Sequence, residues 1–275
     1  MRCEFSEFTY GFAVTHEMVE ATKALLPGPP LLPSLGDEGL LGFDVRMDGL
    51  LGWTFMFQYK IPQLLVRKNA AEWSFWKSNY LRFHTRDSSD QHELLLALED
   101  ASIFNVVQYL CPMFATAYGL NQAFTSGSLE DRSLRLRPSE IGPGSHSVTF
   151  DGSGSYKIFS EPRSGVVSAE ARTLRGSARL LQEQTGNPPE PLGATQFRRM
   201  SESILEVIAR ERGSSAREAV ELVLSRREAA ERTFQQPRPD ARVAEELLHG
   251  LAAFSDLSTI ARMVYGGQVV AVTAV

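Results

Sequence analysis

Apolar residues between positions 4 and 26 recur at helical spacing. Phe5, Phe8, Phe12, Val14, Met18, Val19, Leu25 and Leu26 form a stripe, with Glu7, Glu17 and Glu20 among the polar positions. The pattern predicts one amphipathic helix or two short pieces, the second capped by Thr15. Pro27, Pro29, Pro30 and Pro33 end it, because proline has no N–H to continue the helix, and an extended loop follows to Gly42. The rhythm then changes to the alternation of strands. Residues 43–47 predict a short strand, 48–52 a glycine-containing turn, and 53–61 a second, strongly apolar strand closed by Pro62.

Residues 63–78 are mixed, with Trp73, Phe75 and Trp76 and room for a short helix. Alternation returns at 80–85 as a third strand, and Ser88 or Ser89 caps a helix over 90–101 whose Leu94, Leu95 and Leu98 face inward. Residues 105–114 read as a buried strand and 115–124 as a further helix. From 126 to 165 the texture turns to Gly, Ser and Pro with β-like pieces at 133–137, 147–150 and 156–159. These either extend the sheet or form a hairpin beside it. Beyond 168 helical spacing dominates, over 169–184, 197–212, 216–234 and 242–254, and the final 268–275 is β-prone. The order predicts an α/β fold, a mixed central sheet flanked by helices over 1–165, with a helical C-terminal region over 166–275.

Composition adds bounds rather than an identity. A chain of 275 residues with 43% hydrophobic content can bury a full core. The net charge of −5 offers no general basic face for a nucleic acid. The helical C-terminal region carries 14 Arg against 14 Asp plus Glu, a balance that suits an interaction module or a brace better than a DNA-gripping surface. The N-terminal MRCEFSEFTYG lacks the basic-then-apolar order of a signal peptide, and no run of apolar residues is long enough to span a membrane. With Cys3 and Cys111 as the only cysteines, a cytoplasmic setting is the expectation.

The candidate chemistry sits on the predicted hairpin. Asp44 begins the first strand, and Gln58 and Lys60, two apart on the second, share one face. An Asp and a second oxygen ligand make half of a hard-cation site of the kind Mg²⁺ takes while keeping several waters. A Lys beside them can orient or deprotonate an attacking water and neutralise charge on a phosphoryl group. Other signals are weaker. His16 in His16-Glu17-Met18-Val19-Glu20 resembles half of a zinc-protease helix without its second His. His92, opening the helix after the third strand, is either a helix-end residue or a group facing the site, and His146 lies in a glycine-containing loop that has no complete phosphate-binding signature. Arg67, Lys68, Lys77, Arg82 and Arg86, with Trp73 and Trp76 among them, form the most basic stretch. Arg132, Arg135 and Arg137 form a second cluster that meets a nucleic acid only if the β-like region turns back to the hairpin.

Asp44, a hairpin, and Gln58-Tyr59-Lys60 at the end of an apolar strand resemble the PD-(D/E)xK nuclease superfamily, in its variant with Gln in place of the second acid. The resemblance covers residues 4–114, including the helix before the hairpin and the strand, helix and strand after it. It implies a restriction-endonuclease-like fold and metal-dependent hydrolysis of phosphodiester bonds in nucleic acid, DNA ahead of RNA. By position it implies Asp44 and Gln58 as ligands of Mg²⁺ (or Mn²⁺), Glu7 or Glu17 as a helix carboxylate completing the site, the Tyr59 carbonyl as a further ligand, and Lys60 as the catalytic lysine. Arg67, Lys68, Lys77, Arg82 and Arg86 would then contact phosphates. Phe43 stands where the family has Pro, and Gln58 lowers the negative charge of the site. Defence- or damage-type action in a bacterium is the analogy. The competing expectation is a catalytically inactive nuclease-fold binding or assembly protein that docks a protein partner through its C-terminal helices.

Overall fold

Ser6 starts the first helix. Its hydroxyl accepts a hydrogen bond from the Thr9 N–H at 3.0 Å, and α1 runs Glu7–Thr22 as one piece. Thr15 is therefore not a cap. It lies inside the helix, donates to the Gly11 carbonyl, and accepts from the Tyr59 hydroxyl. The buried face of α1 consists of Tyr10, Ala13, Val14 and Met18, whereas Phe8 and Phe12 are 78% and 61% exposed. Phe8 and Phe12 are four apart and so share a face, but it is the outer one.

The computed structural model describes residues 1–23, 26, 28–33, 41–49, 53–85, 91–159, 163–168, 170–185, 194–213 and 217. After α1 come β1 (Val45–Asp48), β2 (Thr54–Tyr59), β3 (Gln63–Leu65), the short α2 (Trp73–Trp76) and β4 (Tyr80–Thr85). Then follow α3 (Gln91–Asp100), β5 (Asn105–Pro112), α4 (Ala117–Ser126), β6 (Ser133–Leu136) and α5 (Pro138–Ile141). The antiparallel strands β7 (His146–Phe150), β8 (Ser155–Phe159) and β9 (Arg163–Val166) precede α6 (Leu174–Thr185) and α7 (Ala194–Arg212). The expected cap at Ser88 or Ser89, the expected helix over 216–234 apart from Arg217, the expected helix over 242–254, and the β-prone 268–275 lie outside the described residues.

The protein is a mixed α/β structure with two sheets where one central sheet was expected. The first has the order β1-β2-β5-β6, with β2 and β5 parallel and the outer pairs antiparallel. The second, β3-β4-β7-β8-β9, is antiparallel throughout. The break falls at Pro62. The Lys60 N–H still donates to the Leu110 carbonyl at 2.9 Å, but Pro62 has no N–H, and the chain re-enters as β3 beside β4. The third predicted strand, β4, thus belongs to the second sheet. The pieces at 147–150 and 156–159 join it there, and 133–137 becomes the edge strand β6 of the first.

Alternation along β2 and β5 sends side chains into two cores. Phe55, Phe57 and Tyr59 pack with Val106 and Leu110 against Tyr10, Val14 and Met18 of α1 and Leu120 of α4. On the opposite face, Met56, Val107 and Tyr109 meet Leu94, Leu95 and Leu98 of α3 and Phe83, Val148 and Phe150 of the second sheet. The described C-terminal helices divide between the two faces: Leu174 of α6 joins the α1 core, and Ile204, Leu205 and Ile208 of α7 join the α3 core. Among the described residues no helix is long and apolar enough to cross a membrane.

Candidate active site

The hairpin register pairs Val45 with Phe57, and the Asp44 N–H donates to the Phe57 carbonyl at 2.8 Å, so Asp44 stands beside Gln58. Gln58 shares its strand face with Met56, which packs in the α3 core, and the same alternation carries on to Lys60. Asp44 and Gln58 meet directly, and Lys60 joins them only through Gln91. Gln58 Nε2 donates to Asp44 Oδ2 at 2.8 Å, and the same oxygen accepts from the Tyr59 backbone N–H. Gln91, the first residue of α3, joins the far ends: its Nε2 donates to Gln58 Oε1 at 2.6 Å, and its Oε1 accepts from Lys60 Nζ at 3.5 Å. The result is a chain of four polar side chains, Lys60, Gln91, Gln58 and Asp44, running from a cation to an anion through two amides.

The Lys60 and Gln91 end of this chain borders a cleft of about 770 Å³ between the N-terminal segment, the end of β2, β4 and the start of α3. Lys60 and Gln91 line it, together with Glu7, Arg2, His84 and Gln63. Gln58 is fully buried behind them, while Asp44 and Lys60 are half-buried. Burial raises the Tyr109 hydroxyl well above its usual range, with the Glu93 and Asp44 charges adding to it, so Tyr109 stays protonated in the cleft wall. Burial does the same to Tyr59, against the hydrogen bond with Thr15 and with the Asp44 charge adding again.

The two helix carboxylates part company. Glu7 lines the cleft, whereas Glu17 accepts from the Leu129 and Glu130 N–H groups, both at 2.9 Å. Ten residues of helix separate them, roughly 15 Å at the helical rise. His92 is a brace. Its Nε2 donates to the Gly142 carbonyl at 2.6 Å, and its Nδ1 shares a 2.8 Å hydrogen bond with the Tyr109 hydroxyl. His146 makes a similar contact to the Pro143 carbonyl, and His16 is an exposed ring placed between Phe12 and Phe124.

Of the basic stretch, Arg67, Lys68 and Lys77 are exposed, and Arg86 lies outside the described residues. Arg82 lines the cleft but is already engaged, by Glu72 at 3.2 Å and by Gln63 Oε1 at 3.0 Å. Trp73 and Trp76 are half-buried, and Trp76 donates to Thr149. In the second basic cluster Arg135 is buried on the α1 side of the first sheet, paired with Glu130 at 2.7 Å, while Arg132 lies over the Phe114 ring. The region does turn back, as edge strand β6, but it directs Arg135 into the core.

Among the described residues no three His, Cys, Asp or Glu side chains group to hold a metal. The donors that do meet are one carboxylate, one amide and one carbonyl, since Gln58 Nε2 also lies 3.3 Å from the Tyr59 carbonyl oxygen. Such a set offers a hard cation its oxygens only if the Gln58 amide turns, because its NH₂ and not its oxygen faces Asp44. No motif or spacing singles out Gln91, Arg2, His84 or Gln63 as site residues. For Gln91 a usable signal was its place as a long polar side chain just before His92, the residue already suspected of facing the site. No family model, no curated protein and no solved structure matches the chain.

Proposed function

We propose that this protein hydrolyses phosphodiester bonds in nucleic acid, DNA in the first instance, with a divalent cation held by Asp44 and Gln58. The observation that carries the reading is the hydrogen-bonded chain that joins Asp44 and Gln58, through Gln91, to Lys60 at the wall of an open cleft. Mg²⁺ or Mn²⁺ bound there would supply charge neutralisation at the phosphoryl group and activation of the attacking water.

The chain's own groups do the rest. Asp44 would hold the ion together with the Gln58 oxygen once that amide turns, with the Tyr59 carbonyl next to them and Glu7, which lines the cleft, as the helix carboxylate. Lys60 donates a hydrogen bond to the attacking water or to a phosphate oxygen, stabilising the charge that builds up during displacement. Exposed Arg67, Lys68 and Lys77 supply the outer phosphate contacts, which fix register without reading sequence.

Purified protein incubated with supercoiled plasmid, single-stranded DNA and RNA in Mg²⁺ or Mn²⁺, beside Lys60→Ala and Asp44→Ala, tests this. Metal-dependent cleavage by wild type that both variants lose supports the reading. Folded wild type that cuts none of the substrates ends it. The competing reading, an inactive nuclease-fold binding or assembly protein, draws on the Gln58 amide, which turns its NH₂ and not its oxygen toward Asp44. Binding of nucleic acid or of a protein without any cleavage would favour that alternative.

A further inference from the structure

The direction of the four-residue chain is fixed by its ends. An ammonium can only donate and a carboxylate can only accept, so Lys60 compels Gln91 to offer its oxygen, Gln91 then offers its NH₂ to Gln58, and Gln58 offers its NH₂ to Asp44. That order is wrong for a cation beside Asp44, which needs the Gln58 oxygen.

We propose that Gln91 is a positioning residue that couples cation loading at Asp44 to the release of Lys60, through a concerted end-for-end turn of the Gln58 and Gln91 amides. The inference rests on the proposed metal-dependent reading. With its oxygen toward Asp44, Gln58 presents its NH₂ to Gln91. Two NH₂ groups cannot remain at the 2.6 Å that separates donor and acceptor now, so Gln91 turns, gives up the 3.4 Å bond from its NH₂ to the Gly42 carbonyl, and offers its oxygen. Its NH₂ then faces the Lys60 ammonium, again donor against donor, and Lys60 swings away into the cleft that it already lines. Cation binding and a free catalytic lysine become a single event. By reciprocity, the grip of Lys60 on Gln91 weakens cation binding by the same factor.

A double-mutant cycle on Mn²⁺ affinity, measured by calorimetry on the full chain with Lys60→Met, Gln91→Met and the double variant, tests the coupling without using activity. Removing the Lys60 charge tightens Mn²⁺ binding in any background, and the cycle cancels that part. The expected result is a gain from Lys60→Met at least about threefold larger in wild type than in Gln91→Met. Equal gains in the two backgrounds overturn the coupling while leaving the metal site standing. If folded wild type binds no Mn²⁺ at millimolar concentration, the metal-dependent reading falls and this inference with it. A second measurement needs no substitution: in ¹⁵N-glutamine-labelled wild type titrated with Mg²⁺, two side-chain NH₂ pairs should shift with one common midpoint. A response confined to one pair overturns the concerted turn.

Discussion

The first sheet carries a polar network on each face, and the two are built to opposite ends. On the α1 side, Arg135 pairs with Glu130 at 2.7 Å, donates to Gln108 Oε1 at 3.1 Å and lies over the Phe57 ring, all of it buried. Burial pushes the Glu130 carboxyl up and the Arg135 guanidinium down, each against the pull of its partner. Glu130 also accepts from the Leu174 N–H, so this network ties β6 to α6. On the α3 side, Lys60 and Asp44 are held apart by two amides, and the network opens on a cleft. Direct pairing closes a network and makes it a fastener. Neutral amides between the two charges keep them from closing on each other and leave the Lys60 end facing the cleft.

Substitutions on the two faces should therefore fail in different ways. Lys60→Met should lower metal-dependent cleavage by about 10²–10⁴-fold, the range for a lost proton-handling group, with the melting temperature nearly unchanged. A Lys60→Met protein that unfolds instead would make the open network a fastener too and erase the contrast. Arg135→Met should destabilise the fold by about 3–5 kcal/mol in urea melts, because it leaves Glu130 buried without its cation. The double variant Arg135→Met, Glu130→Leu should recover most of that loss. If the single variant is as stable as wild type, the closed network is not what fastens β6.

Gly11 links the two faces mechanically. A Cβ there would come within 2.6 Å of the Tyr59 ring, and Tyr59 holds Asp44 through its own backbone N–H. Gly11→Ala should cost about 1–3 kcal/mol of stability by overpacking. It should also lower cleavage, because moving Tyr59 displaces Asp44. Loss of stability with cleavage unchanged at a temperature where the variant is folded would show that the two faces are independent.

The placement of the candidate residues was legible where local geometry decides it. Strand alternation alone placed Gln58 with Lys60, and the hairpin brought Asp44 beside them. Gln91 was harder to see, because its contacts come from α3 packing across the sheet, 31 residues from Lys60 and 33 from Gln58. Glu7 and Glu17 could not be ranked from sequence, since both are helix carboxylates and only the docking of α1 sets which end reaches the cleft. Phe8 and Phe12 satisfied a helical stripe as well as Tyr10 and Val14 did, and apolar spacing does not say which of two apolar faces turns inward. The division into two sheets depended on the partners of β6 and β7, which antiparallel strands choose non-locally, although Pro62 did mark the break.

Arg82 offers the smallest and most discriminating effect, because it lines the open cleft while being paired like a fastener. Its partner Glu72 also accepts from the Tyr80 hydroxyl at 2.8 Å. Burial alone would raise the Glu72 carboxyl. The hydrogen bonds from Tyr80, from the backbone and from Arg82, with the Arg82 charge, outweigh that and hold it below its ordinary range. The reverse effect pushes the Tyr80 hydroxyl up to about 12, through burial and then the Glu72 carboxylate. A depressed carboxyl contributes stability that is present above its unfolded value and is lost as pH falls through the folded one. Wild type should accordingly lose stability in acid, below the usual carboxylate range, and Glu72→Gln should flatten that part of the profile while leaving the neutral-pH melting temperature slightly lower. If Arg82 serves the cleft, Glu72→Gln should also tighten DNA binding at neutral pH and steepen its salt dependence, because one more cation becomes available to phosphate. A variant with the flattened acid profile and an unaltered salt slope would make Arg82 purely a fastener, leaving Lys60 and the exposed Arg67, Lys68 and Lys77 to meet the phosphates.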